Sequence, residues 1–237
     1  MIVNTRPIDL SQTTNSLLEK SQCRFIHLPL TKIIKITPSA KAKQKINNIT
    51  NYDLLIFTSQ SAVIYGVEHC REILLRNKKI PILAIGLATQ KSLSQLNLIS
   101  SIPQTFDSCG LANRIKERGY KKCLVFCGQK NPLLLSLTDA YIDTFACYES
   151  QNESRIDLSF TKNEDKLIIL IYTQQSLEVL FEELHVNKTQ KIILIVASER
   201  LKELSAQYGF TDCIVAKSPH DKDMVCLLYT SPSPRDS

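Results

Sequence analysis

Glycine is scarce, with six in 237 residues. A loop that cradles phosphate with backbone N–H groups needs several glycines close together. Neither Gly-x-x-x-x-Gly-Lys-Ser/Thr nor Gly-x-Gly-x-x-Gly occurs, and a Gly-x-Ser-x-Gly nucleophile turn is missing too. These absences argue against nucleotide, dinucleotide and serine-hydrolase designs. The eight cysteines form no Cys-x-x-Cys pair, and the four histidines (27, 69, 185 and 220) are far apart, so no metal site is expected. The longest apolar runs, such as 167–172 and 192–197, fall far short of the ~20 residues that cross a bilayer. The start, Met1-Ile2-Val3-Asn4-Thr5-Arg6-Pro7, lacks the basic and apolar parts of a secretion signal. A cytoplasmic chain with free thiols and no membrane partner is the expectation. No dense Lys/Arg block with interleaved aromatics appears, so no nucleic-acid partner is expected either.

The residues that are present describe a globular chain. At 43% hydrophobic and 22% charged, the composition excludes disorder, collagen and coiled coil as its main organisation. The length fits one large α/β domain or two small ones. Lys plus Arg exceeds Asp plus Glu, 29 to 23, leaving a net charge of +6. That suits an anionic ligand and equally a solvated basic surface.

Short β-branched runs alternate with amphipathic segments. The pattern predicts strands at 2–4, 24–28, 53–57, 81–85, 122–126, 167–172, 191–197 and 212–216. Helices are predicted at 14–20, 40–49, 61–76, 89–96, 110–118, 132–141, 176–185, 199–208 and from 219. Such alternation predicts an α/β fold of parallel sheets covered on both faces. Within the run at 122–126, Cys123 and Cys127 share one face. Two extended stretches, 27–38 and 144–149, flank the middle block and predict an inserted second domain. Residues 229–237 hold two prolines and four Ser/Thr, which neither extend a helix nor build a core.

One junction recurs four times: a buried strand, a short polar turn, then a helix. The four are Phe57-Thr58-Ser59-Gln60-Ser61, Ile85-Gly86-Leu87-Ala88-Thr89, Tyr172-Thr173-Gln174-Gln175-Ser176 and Ala197-Ser198-Glu199-Arg200. Each places hydroxyls where helix N-caps belong. In open parallel sheets, ligands bind beyond the carboxyl ends of strands, where helix N-termini favour anions. Ser and Thr cap helices in any α/β protein, so one junction alone says little. Two in each half point to two carboxylate-binding surfaces.

These pieces resemble uroporphyrinogen-III synthase, the ring-closing enzyme of haem and other tetrapyrrole synthesis. The resemblance lies in Asn4-Thr5-Arg6-Pro7, Asp53-Leu54-Leu55-Ile56-Phe57-Thr58-Ser59-Gln60-Ser61-Ala62-Val63 and Ala84-Ile85-Gly86-Leu87-Ala88-Thr89. It continues in Phe106-Asp107-Ser108-Cys109-Gly110-Leu111, Cys147-Tyr148-Glu149-Ser150 and Val196-Ala197-Ser198-Glu199-Arg200-Leu201. It runs to about Val225 and rests on order and spacing. It implies two parallel-sheet α/β domains joined by a two-stranded linker, the first domain discontinuous. The expected division is 1–31 with 149–227, then 38–142, with linker strands 32–37 and 143–148 and a disordered or artefactual tail at 228–237.

The resemblance also implies a lyase reaction without a cofactor. Its substrate is hydroxymethylbilane, a linear tetrapyrrole bearing eight carboxylates. Water leaves, ring D inverts through a spiro intermediate, and the macrocycle closes. A monomer in transient contact with the preceding deaminase is expected. Tyr148 resembles the family's linker tyrosine and is the candidate donor to the hydroxyl that leaves ring A. A phenol of pKa about 10 orients water or the hydroxyl better than it protonates it. A tyrosine packed at a hinge fits the same residue. Substrate positioning is assigned to Thr58, Ser59, Ser61, Gly86, Thr89, Ser108, Thr173, Ser176 and Ser198. Arg6 and Arg200 either add charge-assisted contacts or serve as surface ion-pair partners. Many family members carry a glycine and then an arginine after the strand at 122–126. Here the run is Gly128-Gln129-Lys130-Asn131-Pro132, so Lys130 offers charge without a bidentate fork. Two other readings fit the same residues: a non-catalytic two-lobed module for a polyanion, and a silent regulatory domain that binds tetrapyrroles.

Overall fold

The structure is a computed structural model that describes residues 1–77, 79–129, 133–184 and 190–230. Contacts divide the chain into two units: Met1–Lys32 with the segment from Gln151 on, and Ile33–Ser150.

The first unit opens with β1 (Ile2–Asn4), fully buried, and α1 (Ile8–Lys20). Helix α1 starts six residues before the predicted position. Its inward face carries Ser11 and Thr14 as well as Leu18, so polar residues on the buried side masked the helical period. Strand β2 (Phe25–His27) follows.

The chain passes into the second unit within β3 (Thr31–Lys35), followed by α2 (Ala40–Asn47), capped by Ser39, whose Oγ accepts the Ala42 N–H. Next come β4 (Leu54–Phe57), α3 (Gln60–Val67) and α4 (Arg71–Arg76). A single helix was expected over 61–76. The His69 and Cys70 N–H groups instead bond back three residues, to Gly66 and Val67, which tightens the turn and ends α3. Strand β5 (Ile82–Ala84) leads to α5 (Leu87–Gln95) and α6 (Ser108–Arg118). Gly119 closes α6 in the left-handed region, φ 69°. Strand β6 (Lys122–Gly128), a 3-10 turn at Leu133–Ser136 and β7 (Tyr141–Asn152) complete the unit. The helix expected at 132–141 is absent from the described part of that range. Tyr141 already starts a twelve-residue strand, because Tyr141, Ile142 and Phe145 pair along β6.

The chain then returns to the first unit with β8 (Lys166–Ile171), α7 (Gln174–Glu183), β9 (Lys191–Val196), α8 (Glu199–Gln207), β10 (Cys213–Val215) and α9 (Asp221–Thr230). Helix α9 takes in residues 228–230, where a tail had been expected. The remainder of that stretch, 231–237, lies outside the described residues.

The first sheet has the order β10-β9-β8-β1-β2, with all four pairings parallel. The second has the order β3-β7-β6-β4-β5, with β7–β6, β6–β4 and β4–β5 parallel. The segments expected as linker strands, 32–37 and 143–148, thus fall largely within β3 and β7, neighbours in this sheet. Each order reverses once, between β1 and β8 and between β4 and β6. Such switch points open a crevice at the carboxyl ends of the strands.

Alternation along the strands builds two cores in the second unit. Leu55, Phe57, Leu124 and Phe126 face Ala62, Val63 and Val67 of α3 and Leu93 of α5. Leu54, Ile56, Cys123, Val125 and Cys127 face Leu111 and Ile115 of α6. Cys123 and Cys127 share the face that their spacing predicted. At the centre of the first core, Phe57 stacks on Phe126 at 4.4 Å and Phe145 leans on Phe126 at 5.4 Å. A Cβ at Gly66 would stand 2.8 Å from the Phe126 ring, so α3 packs on the aromatic stack only through glycine. Truncating this ring opens a cavity under both β4 and α3. Phe126→Ala is expected to lower stability by about 3–5 kcal/mol, measured by urea denaturation.

Candidate functional site

The four junctions put helix N-termini at the carboxyl ends of adjacent strands. In the second unit Ser59 caps α3 after β4, and Gly86 occupies the cap position of α5 after β5. In the first unit Thr173 caps α7 after β8, and Ser198 caps α8 after β9.

At the β4–β6 switch point three elements meet. Ser59 Oγ accepts the Ala62 N–H at 3.0 Å and donates to Tyr148 Oη at 2.9 Å. The phenol's own proton has no acceptor among the described residues. Burial pushes the Tyr148 phenol above its ordinary value, while the Ser59 hydrogen bond pulls the other way. The register of β6 against β7 slips at Cys127/Gly128, pairing Gly128 with Tyr148. A Cβ on Gly128 would lie 3.2 Å from the Tyr148 ring, so glycine leaves the space in which that ring lies. Thr58 Oγ1 donates to the Phe126 carbonyl at 3.1 Å, which pins the loop beside Ser59.

Other expected residues are less open. Ser61, Thr89 and Ser176 are buried within first helical turns, so a ligand at these junctions meets backbone N–H groups and the caps instead of those hydroxyls. Ser176 Oγ lies 2.8 Å from Thr173 Oγ1. Gly86 is buried beneath Phe106, whose ring carbon a Cβ there would approach to 3.3 Å. Ser108 begins α6, but the cap is Asp107, whose carboxylate accepts the Gly110 N–H at 2.7 Å. Lys130 lies outside the described residues.

In the first unit, Arg6 follows β1 at the β1–β8 switch point. It is 9% exposed and pairs with Asp221 of α9 at 2.7 Å. Its guanidinium lies 4.0 Å above the centre of the Tyr172 ring. Thr14 donates to the same Asp221 oxygen at 2.8 Å. The ion pair foreseen for Arg6 was a surface one; here Arg6 is paired with Asp221 and buried. Arg200 is exposed and donates to Gln174 Oε1 at 2.9 Å, linking the first turns of α8 and α7.

Among the described residues no group of three or more His, Cys, Asp or Glu side chains is arranged to hold a metal ion, and no helix is long and apolar enough to cross a membrane. All eight cysteines are free. Burial pushes the Cys70, Cys123 and Cys147 thiols up to about 12 and Cys127 to about 11, so they remain protonated and inert.

Residues 12–226 match the family model described as HEM4, Uroporphyrinogen-III synthase HemD. The chain belongs to the uroporphyrinogen-III synthase family. It is therefore an enzyme of tetrapyrrole biosynthesis acting on a small molecule. No curated protein matches it. Among solved structures, it is similar to the uroporphyrinogen-III synthetase of Helicobacter pylori, at 16% identity and TM-score 0.65, covering 97% of this chain and 98% of that one. A mutant uroporphyrinogen III synthase of the extremely thermophilic bacterium Thermus thermophilus matches at 14% identity and TM-score 0.60, covering 97% of each chain. These likenesses establish the two-domain fold.

Asp221 was not named from the sequence, and Phe106, Asp107 and Gly128 were named there only within runs that bear on the resemblance, with no role of their own. The scarcity of glycine was the available signal for Gly128: with so few, one placed at a strand end marks a close approach.

The Arg6–Asp221 pair generates a stability prediction. Asp221→Asn leaves a buried guanidinium uncompensated and is expected to cost about 3 kcal/mol. Arg200→Ala, on the surface, should stay within about 0.5 kcal/mol of wild type. Denaturant titration of both variants checks the contrast.

Proposed function

We propose that this chain converts hydroxymethylbilane to uroporphyrinogen III, a cyclising hydro-lyase reaction with loss of water and inversion of ring D. The observation that carries the proposal, beyond family membership, is the Ser59–Tyr148 pair at a switch point. The α3 amide polarises Ser59, Ser59 donates to Tyr148, and Tyr148 keeps one O–H to offer. Donors in such a chain strengthen one another. In this reading that O–H hydrogen-bonds the hydroxyl leaving ring A as the azafulvenium cation forms.

The remaining work is positional. Folding a flexible bilane so that the substituted carbon of ring D attacks is an entropic problem, and holding the chain contributes several kcal/mol (roughly 7–11 in the best intramolecular cases). Helix N-termini at Ser59, Thr173 and Ser198 offer N–H groups to the substrate's carboxylates. Arg200 adds an exposed positive charge. Arg6 contributes through the rim it braces, because Asp221 already neutralises it. Monomeric action and transient contact with the preceding deaminase belong to the same proposal.

Purified protein supplied with hydroxymethylbilane by a coupled deaminase is expected to give the type III macrocycle. A type I product at the no-enzyme ratio would contradict the proposal. Tyr148→Phe is expected to lower kcat by about 10²-fold with folding unchanged. Because burial raises the Tyr148 pKa, the neutral phenol is retained to higher pH than an ordinary phenol of 10.0 retains it, and is lost as pH rises through the raised value. The alkaline limb that this group contributes to the kcat–pH profile should therefore have its midpoint above 10.0.

A further inference from the structure

Phe106 is a large apolar side chain at the carboxyl rim of the second unit's sheet, and it is 45% exposed. Three features hold it there. Its inner side covers Gly86, at the end of β5, where any Cβ would crowd the ring at 3.3 Å. The next residue, Asp107, caps α6 and also accepts the Thr105 Oγ1–H at 3.1 Å. Gly110 lets the Thr105 carbonyl approach so closely that a Cβ there would collide with it. Two of six glycines thus seat residues 105–107. The loop is fixed, and nearly half of the Phe106 side chain is left to solvent; Leu87, which follows Gly86 in the chain, is itself 47% exposed.

The place matters as much as the exposure. Strand β5 pairs with β4, whose carboxyl end carries Ser59, and strands in a sheet lie about 5 Å apart. Phe106 therefore covers the rim one strand beyond the Ser59–Tyr148 pair. Helix N-termini can answer the carboxylates of a bilane, but its pyrrole faces are flat and apolar and need a flat apolar surface.

We infer that Phe106, seated over Gly86, is a binding platform for one pyrrole ring of the linear tetrapyrrole. The inference rests on the synthase reading above and adds a subsite to it. Gly86 acts as the seat of that platform and Phe106 makes the contact. The platform holds one ring of the bilane while Tyr148 serves the departing hydroxyl.

Phe106→Ala and Phe106→Leu test this, the second keeping an apolar plug over Gly86 while removing the flat ring. With hydroxymethylbilane from the coupled deaminase, Phe106→Ala is expected to raise KM about tenfold and Phe106→Leu about threefold, with kcat within twofold. Fluorescence titration with uroporphyrin III should show the same order of weakened binding, and Tm of Phe106→Leu should match wild type. Should Phe106→Ala fail to fold, Phe106→Leu alone decides. Wild-type KM and wild-type uroporphyrin affinity in Phe106→Leu would overturn the platform while type III synthesis stands. A wild-type enzyme yielding only the uncatalysed type I ratio would overturn the synthase reading, and the platform with it.

Discussion

The hydrogen bond from Ser59 to Tyr148 is the interaction on which the functional account depends. It joins a residue at the start of α3 to one near the end of β7, two elements far apart in sequence. Parallel pairing of β4, β6 and β7 brings their carboxyl ends to one rim. The slip at Cys127/Gly128 sets Tyr148 opposite a residue without a side chain. The Phe57–Phe126–Phe145 stack supports the same strands from below, and Gly66 lets α3 settle on it. A phenol held this way stays neutral and keeps one proton to donate. That is the property needed to assist a leaving hydroxyl without becoming a charged group itself.

The first unit shows a different use of polar groups. Arg6, Asp221, Thr14 and Tyr172 form a buried cluster at the β1–β8 switch point. A buried ion pair of this kind fixes geometry more than it adds net stability. Here it ties α9 to the loop after β1. In the function proposed above, attraction of anions to this rim is assigned to the N-termini of α7 and α8 and to Arg200, because Asp221 already neutralises Arg6. A substrate with many carboxylates does not require a dense basic patch, which agrees with a net charge of only +6.

The α/β class, the parallel sheets and the four strand-to-helix junctions were legible in the sequence. Continuous apolar strands such as Leu54–Phe57 and caps such as Ser59 and Thr173 are local signals. Three features were not legible, each for a physical reason. Helix α1 hid because Ser11 and Thr14 lie on its buried face. The strand from Tyr141 looked helical because the leucine-rich turn before it mimics an amphipathic period. The burial of Ser61, Thr89, Ser176 and Gly86 depends on which side of a first turn faces the core, a tertiary fact that residue type does not encode. Tyr148, Gly128 and Phe106 were all met in runs that bear on the resemblance, but the reasons for Gly128 and Phe106 emerged only from the close contacts that surround them.

A double-mutant cycle on Ser59 and Tyr148 tests the central claim most directly, with kcat measured for Ser59→Ala, Tyr148→Phe and the double variant. If Ser59 acts by orienting and polarising the phenol, its removal slows the enzyme that has Tyr148 and leaves the Tyr148→Phe enzyme almost unchanged. Equal slowing by Ser59→Ala in both backgrounds would mean that the two hydroxyls act independently, and would contradict the account.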